Sequence, residues 1–553
     1  MSVKKYGIYL GYPPTVDLRA EGLGRHLAEF LKGTHGRNDV HFVVACPSWM
    51  RSNLYQLCEA CNIPFDALEI ISPSSKPLLL SAYQKYTSLK SKSRTARKKN
   101  SLRARFRQFR EHLAVNIESR LVGTRSVPLA AVLGILFAVI LFTRLLAHQL
   151  GDGFLLVRKV IKKIGRVFSG NRVSRPRSLN SETGPHTLEK DSLIVRLYRL
   201  MEESEANLMR RLIEARTDIS AWYSPTAFWP HFNKISAPRL MCVPDVVLTD
   251  FPTGFATAAG NRLLENFRFV ENAIHGGEHF VTYSNITKWH TLVNRYGADP
   301  ATVFVVPHGA NRLDDLVSVS GFPDNEAATD THCRNLFKSA LQKAVNNVYD
   351  NVSLSSKVRF IFYASQFRPN KNILSLLRAY EYLVKRRFVG HKLILTGKPL
   401  DVSEIRRFVI DRNLENDVLC LHGLSEEELA ACYRLADLAV NPSLSEGGCP
   451  FTFAEALSVG TPAMMARIPV TEEIIVDPAL QELMLFDPYD WTDIAKKIEW
   501  GLNNIELLRL KQQPFYEQIA QRTWRCVVDE YVDILDRISL QRSPAPCKRQ
   551  KVC

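Results

Sequence analysis

The sequence predicts an α/β protein: two doubly wound, Rossmann-like domains facing a cleft, the first interrupted by a basic, apolar, membrane-associating helical insert. Three observations carry that expectation. The chain opens on an apolar strand, a loop holding Gly22 and Gly24, a helical stretch and a second apolar strand, VHFVVA. That order is the start of a doubly wound sheet. A second series of short apolar runs alternating with amphipathic segments begins at Val358. Between about Ser72 and Lys190 the alternation stops.

Taken in order, Tyr6–Leu10 reads as a buried strand, Leu23–Leu31 as a helix and Val40–Ala45 as the second strand. Order resumes with a helix from Asp191 through Arg216, then strands at Leu240–Val243, His279–Ser284 and Thr302–Val306. In the second series, strands fit Arg359–Ala364, Lys392–Thr396, Val418–Leu421, Leu438–Asn441 and Thr461–Met465. Helices fit Ile373–Lys385, Ser403–Arg412, Ser425–Arg434 and Phe453–Val459. The expected organisation is a first domain of residues 1–71 and 191–345, an insert of 72–190 and a second domain of 346–515. A helix over 516–541 packs back toward the first domain, and 542–553 is a disordered tail. Two such domains enclose a cleft at the carboxyl ends of their strands, where open α/β sheets bind ligands.

Apolar residues make up 46% of the 553 and charged residues 23%, which excludes a disordered chain, a collagen-like fibre or a disulfide scaffold. The net charge of +16 is unevenly placed. Lys85–Arg110 holds eleven Lys/Arg and Arg158–Arg177 eight, neither with an acid, so the rest of the chain carries about −3. Between these runs Ser126–Thr143 has no charge over eighteen residues. As a helix it spans roughly 27 Å, slightly short of a ~30 Å hydrocarbon core. A single crossing would put the two parts of the first domain on opposite sides of the bilayer. The expectation is therefore a monotopic, peripheral anchor on the cytoplasmic face, with the cationic runs on anionic lipid headgroups and Leu145–Ile161 as an amphipathic helix. The runs have little aromatic interleaving beyond Phe106 and Phe109, which disfavours a nucleic-acid partner. The eleven Cys form no framework, and Cys58/Cys61 has no second CxxC, so a reducing cytoplasm and no metal site are expected. The amino terminus, MSVKKYGIYL, lacks a signal-peptide pattern.

Two stretches carry chemistry. In NPSLSEGGCPFTFAEALSVGTPAMMA, a strand ending at Asn441 leads through a Gly-containing loop to a helix, bracketed by Glu446 and Glu455. Helix N-termini receive anions, and ionised carboxylates accept strong hydrogen bonds from sugar hydroxyls. In FIFYASQFRPNKNILSLLRAY, a strand runs into a loop holding Arg368 and Lys371. Two cations at a strand end can neutralise a diphosphate leaving group.

On these residues the second domain resembles the donor-binding half of the retaining nucleotide-sugar glycosyltransferases of family four, which have the GT-B fold. The match includes PSLSEGG, the AEAL helix, Gly460–Pro462, RPNKN, HGLSEEELAACYRLADLAV and IPVTEEII with Glu472 or Glu473 at the acidic position. Trp524 stands where the family places an aromatic before the final helix. The first domain is similar through the Gly22/Gly24 loop, PDVVLTDFP, TYSNITKWHTLVNRYG and VFVVPHGAN, and is most like mannosyltransferase-type members. The resemblance implies that Glu455 binds the donor ribose and Glu446 the donor sugar. Gly447 and Gly448 line the donor site, and Arg368 and Lys371 hold the diphosphate. The Gly22–Gly24 backbone meets phosphate or acceptor, with Asp245 and His308 on the acceptor side. It further implies retention of configuration, no cofactor or obligatory metal, and hexose transfer to a lipid-linked glycan or polysaccharide precursor, as in lipopolysaccharide biosynthesis. The alternative is a catalytically weak scaffold of a glycan assembly complex. The chain departs from the family pattern in three places. Eight residues rather than seven separate Glu446 from Glu455, Gln366 stands where an Arg is usual, and Pro244 rather than His precedes Asp245, leaving His308 or His231 as substitutes.

Overall fold

The computed structural model describes residues 3–14, 16–20, 22–64, 68–77, 80, 134, 193–251, 255, 261–345, 358–397 and 403–540. The expectations for Ser126–Thr143, the two cationic runs, Leu145–Ile161 and the tail 542–553 lie outside the described residues. Among the described residues no helix is long and apolar enough to cross a membrane.

Short runs such as VHFVVA, FIFY and KLILT are largely apolar rather than alternating, the pattern of parallel strands covered by helices on both faces. The first sheet has seven parallel strands: β1 (Lys4–Tyr9), β2 (Val40–Ala45), β3 (Leu68–Ile71), β4 (Ala221–Ser224), β5 (Arg239–Cys242), β6 (His279–Thr282) and β7 (Val303–Val305). Their spatial order is β3-β2-β1-β4-β5-β6-β7. Tyr6, Gly7 and Ile8 of β1 pair with Ala221, Trp222 and Tyr223 of β4. The two segments that flank the insert in sequence are thus adjacent strands of one sheet.

The second sheet has six parallel strands: β8 (Phe360–Tyr363), β9 (Lys392–Thr396), β10 (Val418–Leu421), β11 (Leu438–Asn441), β12 (Ala463–Ala466) and β13 (Leu485–Phe486). The order is β10-β9-β8-β11-β12-β13. Strand order reverses between β1 and β4 in one sheet and between β8 and β11 in the other, and these are the switch points at which such sheets bind ligands.

Two expected boundaries are corrected. Residues 313–345 were expected in the first domain. They pack in the second, where Leu313, Val317, Cys333, Phe337 and Ala340 join its core. The apolar face of helix Asn325–Val345 lies against helix Glu426–Leu435, and Lys343 donates to Glu428 at 2.7 Å. Glu428 also closes a capping box with Ser425, so one acid starts its helix and holds a neighbour. The boundary expected at 515/516 falls inside helix Ile505–Ala520, which packs on helix Phe451–Ser458. The crossing helix begins at Trp524, runs to Leu540 and buries Val527, Val528, Tyr531 and Leu535 in the core of the first domain.

Strands β3, β4 and β13 went unread in the sequence.

Candidate active site

The switch point of the second sheet sets two loops side by side. After β8, the chain turns through Pro369–Lys371 and enters helix Ile373–Arg387 at Asn372, whose φ of 53° is one that Asn tolerates. After β11, residues 442–450 lead to helix Phe451–Ser458. The loops are joined by backbone: Leu444 N donates to Asn370 O at 2.8 Å. Across this seam Lys371 Nζ lies 2.6 Å from Glu446 Oε1, both side chains largely buried. Burial pulls the Lys371 ammonium down, but Glu446, Tyr363 and Asp245 together outweigh it and hold the group above its usual range. Arg368 is exposed on the same loop.

Asp245 faces this pair from the loop after β5. Its pKa is raised to about 6, first by burial and then by the Glu446 charge, against the opposing pull of Lys371 and Arg368. Gly447 explains how the two loops come so close: a Cβ there would stand 1.9 Å from Pro244 O. Its carbonyl accepts from Ser284 Oγ at 3.0 Å. At Gly448 a Cβ would meet Tyr283 Cβ at 2.7 Å. Both glycines are thus required by the contact between domains.

Glu455 lies in the second turn of helix Phe451–Ser458, 1% exposed. Its Oε1 accepts from Arg25 of helix Gly22–Thr34 and from Asn311 Nδ2 at 3.2 Å. Asn311 Oδ1 in turn accepts from Trp524 Nε1 at 3.1 Å. Glu455, expected to meet a ribose, is held by Arg25 and Asn311. Gly24, next to Arg25 in sequence, packs against the turn Leu18–Ala20: a Cβ there would meet Leu18 O at 1.8 Å, whereas Gly22 faces open space. Neither has a positive φ, so Gly24 serves helix packing.

His308 lies beside Gly448 in a buried interface cluster with Tyr283, His26, Phe451 and Trp524. Burial, with His26 and Arg522 adding to it, keeps His308 well below the usual imidazole range. His26 is lowered to about 4 by burial, and its Nε2 lies 3.3 Å from the Tyr283 hydroxyl. His231 stands apart, on the turn Pro230–Lys234 against helix Asn261–His275. Glu473, not Glu472, makes the interdomain contact of IPVTEEII: it accepts from Asn285 N at 2.8 Å and Ile286 N at 2.9 Å. Glu472 pairs with Arg467.

The structure therefore brings Glu446, Lys371, Arg368, Asp245, Gly447, Gly448 and His308 to one seam between the domains, with Glu455 on the helix that follows, held by Arg25. Of the two acids expected in IPVTEEII, Glu473 is the one at the seam, whereas Arg25 and Asn311 were missed. Arg25 alone had a signal, as a cation on the first helical turn after the glycine loop. A cavity of about 580 Å³ opens at the other end of helix Phe451–Ser458, lined by Arg312, Arg434, Ser458 and Tyr516 among others, and shares none of these groups.

Residues 348–513 match the family described as Glycosyl transferases group 1. Two similar proteins are named mannosyltransferases. One is the serotype-specific mannosyltransferase WbdA of Escherichia coli, 29% identical over 32% of this chain and 22% of that one. The other is the O-antigen chain mannosyltransferase RfbU of Salmonella typhimurium, 28% identical over 29% of this chain and 44% of that one. The matched regions span less than half the length of these relatives. The Anabaena HepE structure in complex with UDP and glucose superposes over 97% of this chain and 100% of that one, with a TM-score of 0.52 at 12% identity. That likeness is one of fold: the two Rossmann-like domains have the GT-B arrangement.

Proposed function

We propose that this chain, built around a group 1 glycosyltransferase domain, is a retaining hexosyltransferase. It moves a sugar from a nucleotide-diphosphate donor to a lipid-linked glycan or polysaccharide precursor. The observation that carries the reading is the Lys371–Glu446 pair at the switch point of the second sheet, faced by the half-buried Asp245. Lys371 and Arg368 offer two cations where a diphosphate would leave, so charge developing on the leaving group meets fixed positive groups. Glu446 is placed to hold hydroxyls of the donor sugar and Glu455 those of the ribose. As the bond from the anomeric carbon to the diphosphate breaks and a bond to the acceptor oxygen forms on the same face, the acceptor proton passes to the Asp245 carboxylate. No cofactor or obligatory metal is part of this reading. His308 supports the acceptor side through Gly448.

The names of the relatives favour mannose as the sugar and O-antigen-type glycans as the product class. The cationic and apolar stretches of 72–190 support peripheral attachment at a cytoplasmic membrane face, with anionic lipid as partner. A second reading, a catalytically weak scaffold, is favoured by one observation: Glu455 is 1% exposed and already bonded to Arg25 and Asn311.

A thermal-shift panel of UDP-, GDP- and ADP-sugars, followed by a transfer assay with the donor that binds, decides between them. A binding donor raises the unfolding midpoint by mass action. Binding followed by transfer supports the enzyme. Binding without transfer or hydrolysis supports the scaffold.

A further inference from the structure

We propose that Arg25 is a third donor-site cation that exchanges partners. In the structure its guanidinium holds the Glu455 carboxylate. When a nucleoside diphosphate enters, the ribose hydroxyls take Glu455 and Arg25 turns to the diphosphate. The inference rests on the donor reading above.

The two residues come from different domains and lie 430 positions apart in sequence. Arg25 sits on the first turn of helix Gly22–Thr34, and Glu455 on the second turn of helix Phe451–Ser458. The Glu455 side chain is 1% exposed and that of Arg25 28%, so the guanidinium is the solvent-side member of the pair and covers the carboxylate. Its charge is held up chiefly by Glu455, against burial. The same oxygen of Glu455 also accepts from Asn311. A ribose hydroxyl therefore reaches that oxygen only by displacing a donor already bonded to it.

Charge balance then decides where the displaced guanidinium goes. Among the described ion pairs Arg25 has Glu455 as its partner. A ribose diol is neutral and can replace the guanidinium on Glu455, but it offers the guanidinium nothing in return. Leaving a largely buried charge without a partner is strongly unfavourable. The anion available is the diphosphate, which the same ligand carries next to the same ribose. An Arg fork matches phosphate oxygens as well as it matches a carboxylate. The exchange thus conserves charge pairing. Arg25 reaches the diphosphate from the first domain while Arg368 and Lys371 reach it from the second, so donor binding becomes a bridge between the domains.

The test titrates the full chain and its Arg25→Gln and Arg25→Lys variants with GDP, UDP, guanosine and uridine by calorimetry. For the diphosphate that the wild type binds, Arg25→Gln should weaken affinity about 10- to 100-fold, the worth of a charge-assisted hydrogen bond. Arg25→Lys, which keeps the charge, should stay within about 5-fold of wild type. The corresponding nucleoside should bind Arg25→Gln at least as well as wild type, since Glu455 is released. Unchanged or tighter diphosphate binding by Arg25→Gln overturns the proposal and leaves Arg25 as a lock on Glu455. Equal losses for nucleoside and diphosphate in both variants also overturn it and make Arg25 a packing residue. A wild-type chain that binds neither diphosphate overturns the donor reading itself, and this inference with it.

Discussion

Lys371 and Glu446 meet at 2.6 Å across the seam where strands β8 and β11 run side by side. Their separation in sequence is 75 residues, and it is the strand order that removes it. Each is expected to matter to transfer rather than to folding. Lys371→Ala and Glu446→Ala should each lower kcat/KM by about 10²- to 10³-fold, as loss of one preorganised electrostatic group does. The double variant should lose less than the product of the two, because each single change already breaks the shared pair. Steady-state transfer with the donor identified by thermal shift checks both points. Full multiplicativity would show that the two side chains act independently.

Asp245 gives the site a pH dependence with a definite sign. Its carboxyl is pushed up to about 6 by burial, then by Glu446, while Lys371 and Arg368 pull the other way. Below about pH 6 it is neutral and cannot accept a proton; above, it is a carboxylate. As the base, it predicts that kcat/KM rises with pH through about 6. Asp245→Asn should remove that limb and lower the rate at pH 7.5 by about 10²- to 10⁴-fold. Its contribution to stability has the opposite trend. The folded protein keeps the proton that the unfolded chain releases near 3.8, so that contribution is full below 3.8 and is lost as pH rises through about 6. An unchanged acid limb in Asp245→Asn assigns the limb to another group.

Gly447 is expected to report on the fit between domains. A Cβ there would stand 1.9 Å from the Pro244 carbonyl oxygen, which is backbone and cannot swing away. Gly447→Ala must therefore part the two loops and disturb the Ser284–Gly447 hydrogen bond. Overpacking of this kind costs about 1–3 kcal/mol. The unfolding midpoint should fall by several degrees, and the radius of gyration from small-angle scattering should rise. A variant with wild-type dimensions and midpoint would mean that the loops separate at no cost.

How much of the molecule was legible in the sequence depends on the range over which each signal acts. The loops holding Lys371 and Glu446 were legible because a strand, a short turn and a helix are contiguous, and apolar runs such as FIFY mark where they start. The helix Asn325–Val345 went unread in the sequence, and so did its domain. Its partner surface, helix Glu426–Leu435, is distant in sequence, and nothing within 325–345 says which core Cys333 and Phe337 enter. The contacts of Arg25, Asn311 and Trp524 were illegible for the same reason. Each gains its role from a side chain of the other domain or of the far terminus. The glycines carry a second constraint that the sequence did not show: at Gly24 and Gly447 a Cβ would strike a backbone carbonyl, of Leu18 and of Pro244.

The cluster around His26 makes the interface acid-sensitive. His26 is held down to about 4 by burial among Phe30, Tyr283, His308 and Trp524, against 6.5 for an ordinary imidazole. His308 is lowered in the same direction, by burial and then by His26 and Arg522. As pH falls, the unfolded chain takes up these protons first. The stability tied to His26 is therefore full above about 6.5 and declines as pH falls toward about 4. For His26 alone, roughly 2 kcal/mol should go between pH 7 and pH 5. His26→Leu removes the titrating ring and its contact with the Tyr283 hydroxyl, so it should be about 1 kcal/mol less stable than wild type at pH 7. Its stability should then fall less steeply on acidification, and the two proteins should converge or cross near pH 5. Urea unfolding at pH 7, 6 and 5 measures both slopes. Parallel slopes would show that His26 takes up its proton alike in the folded and unfolded chains, and that another group governs the acid limb.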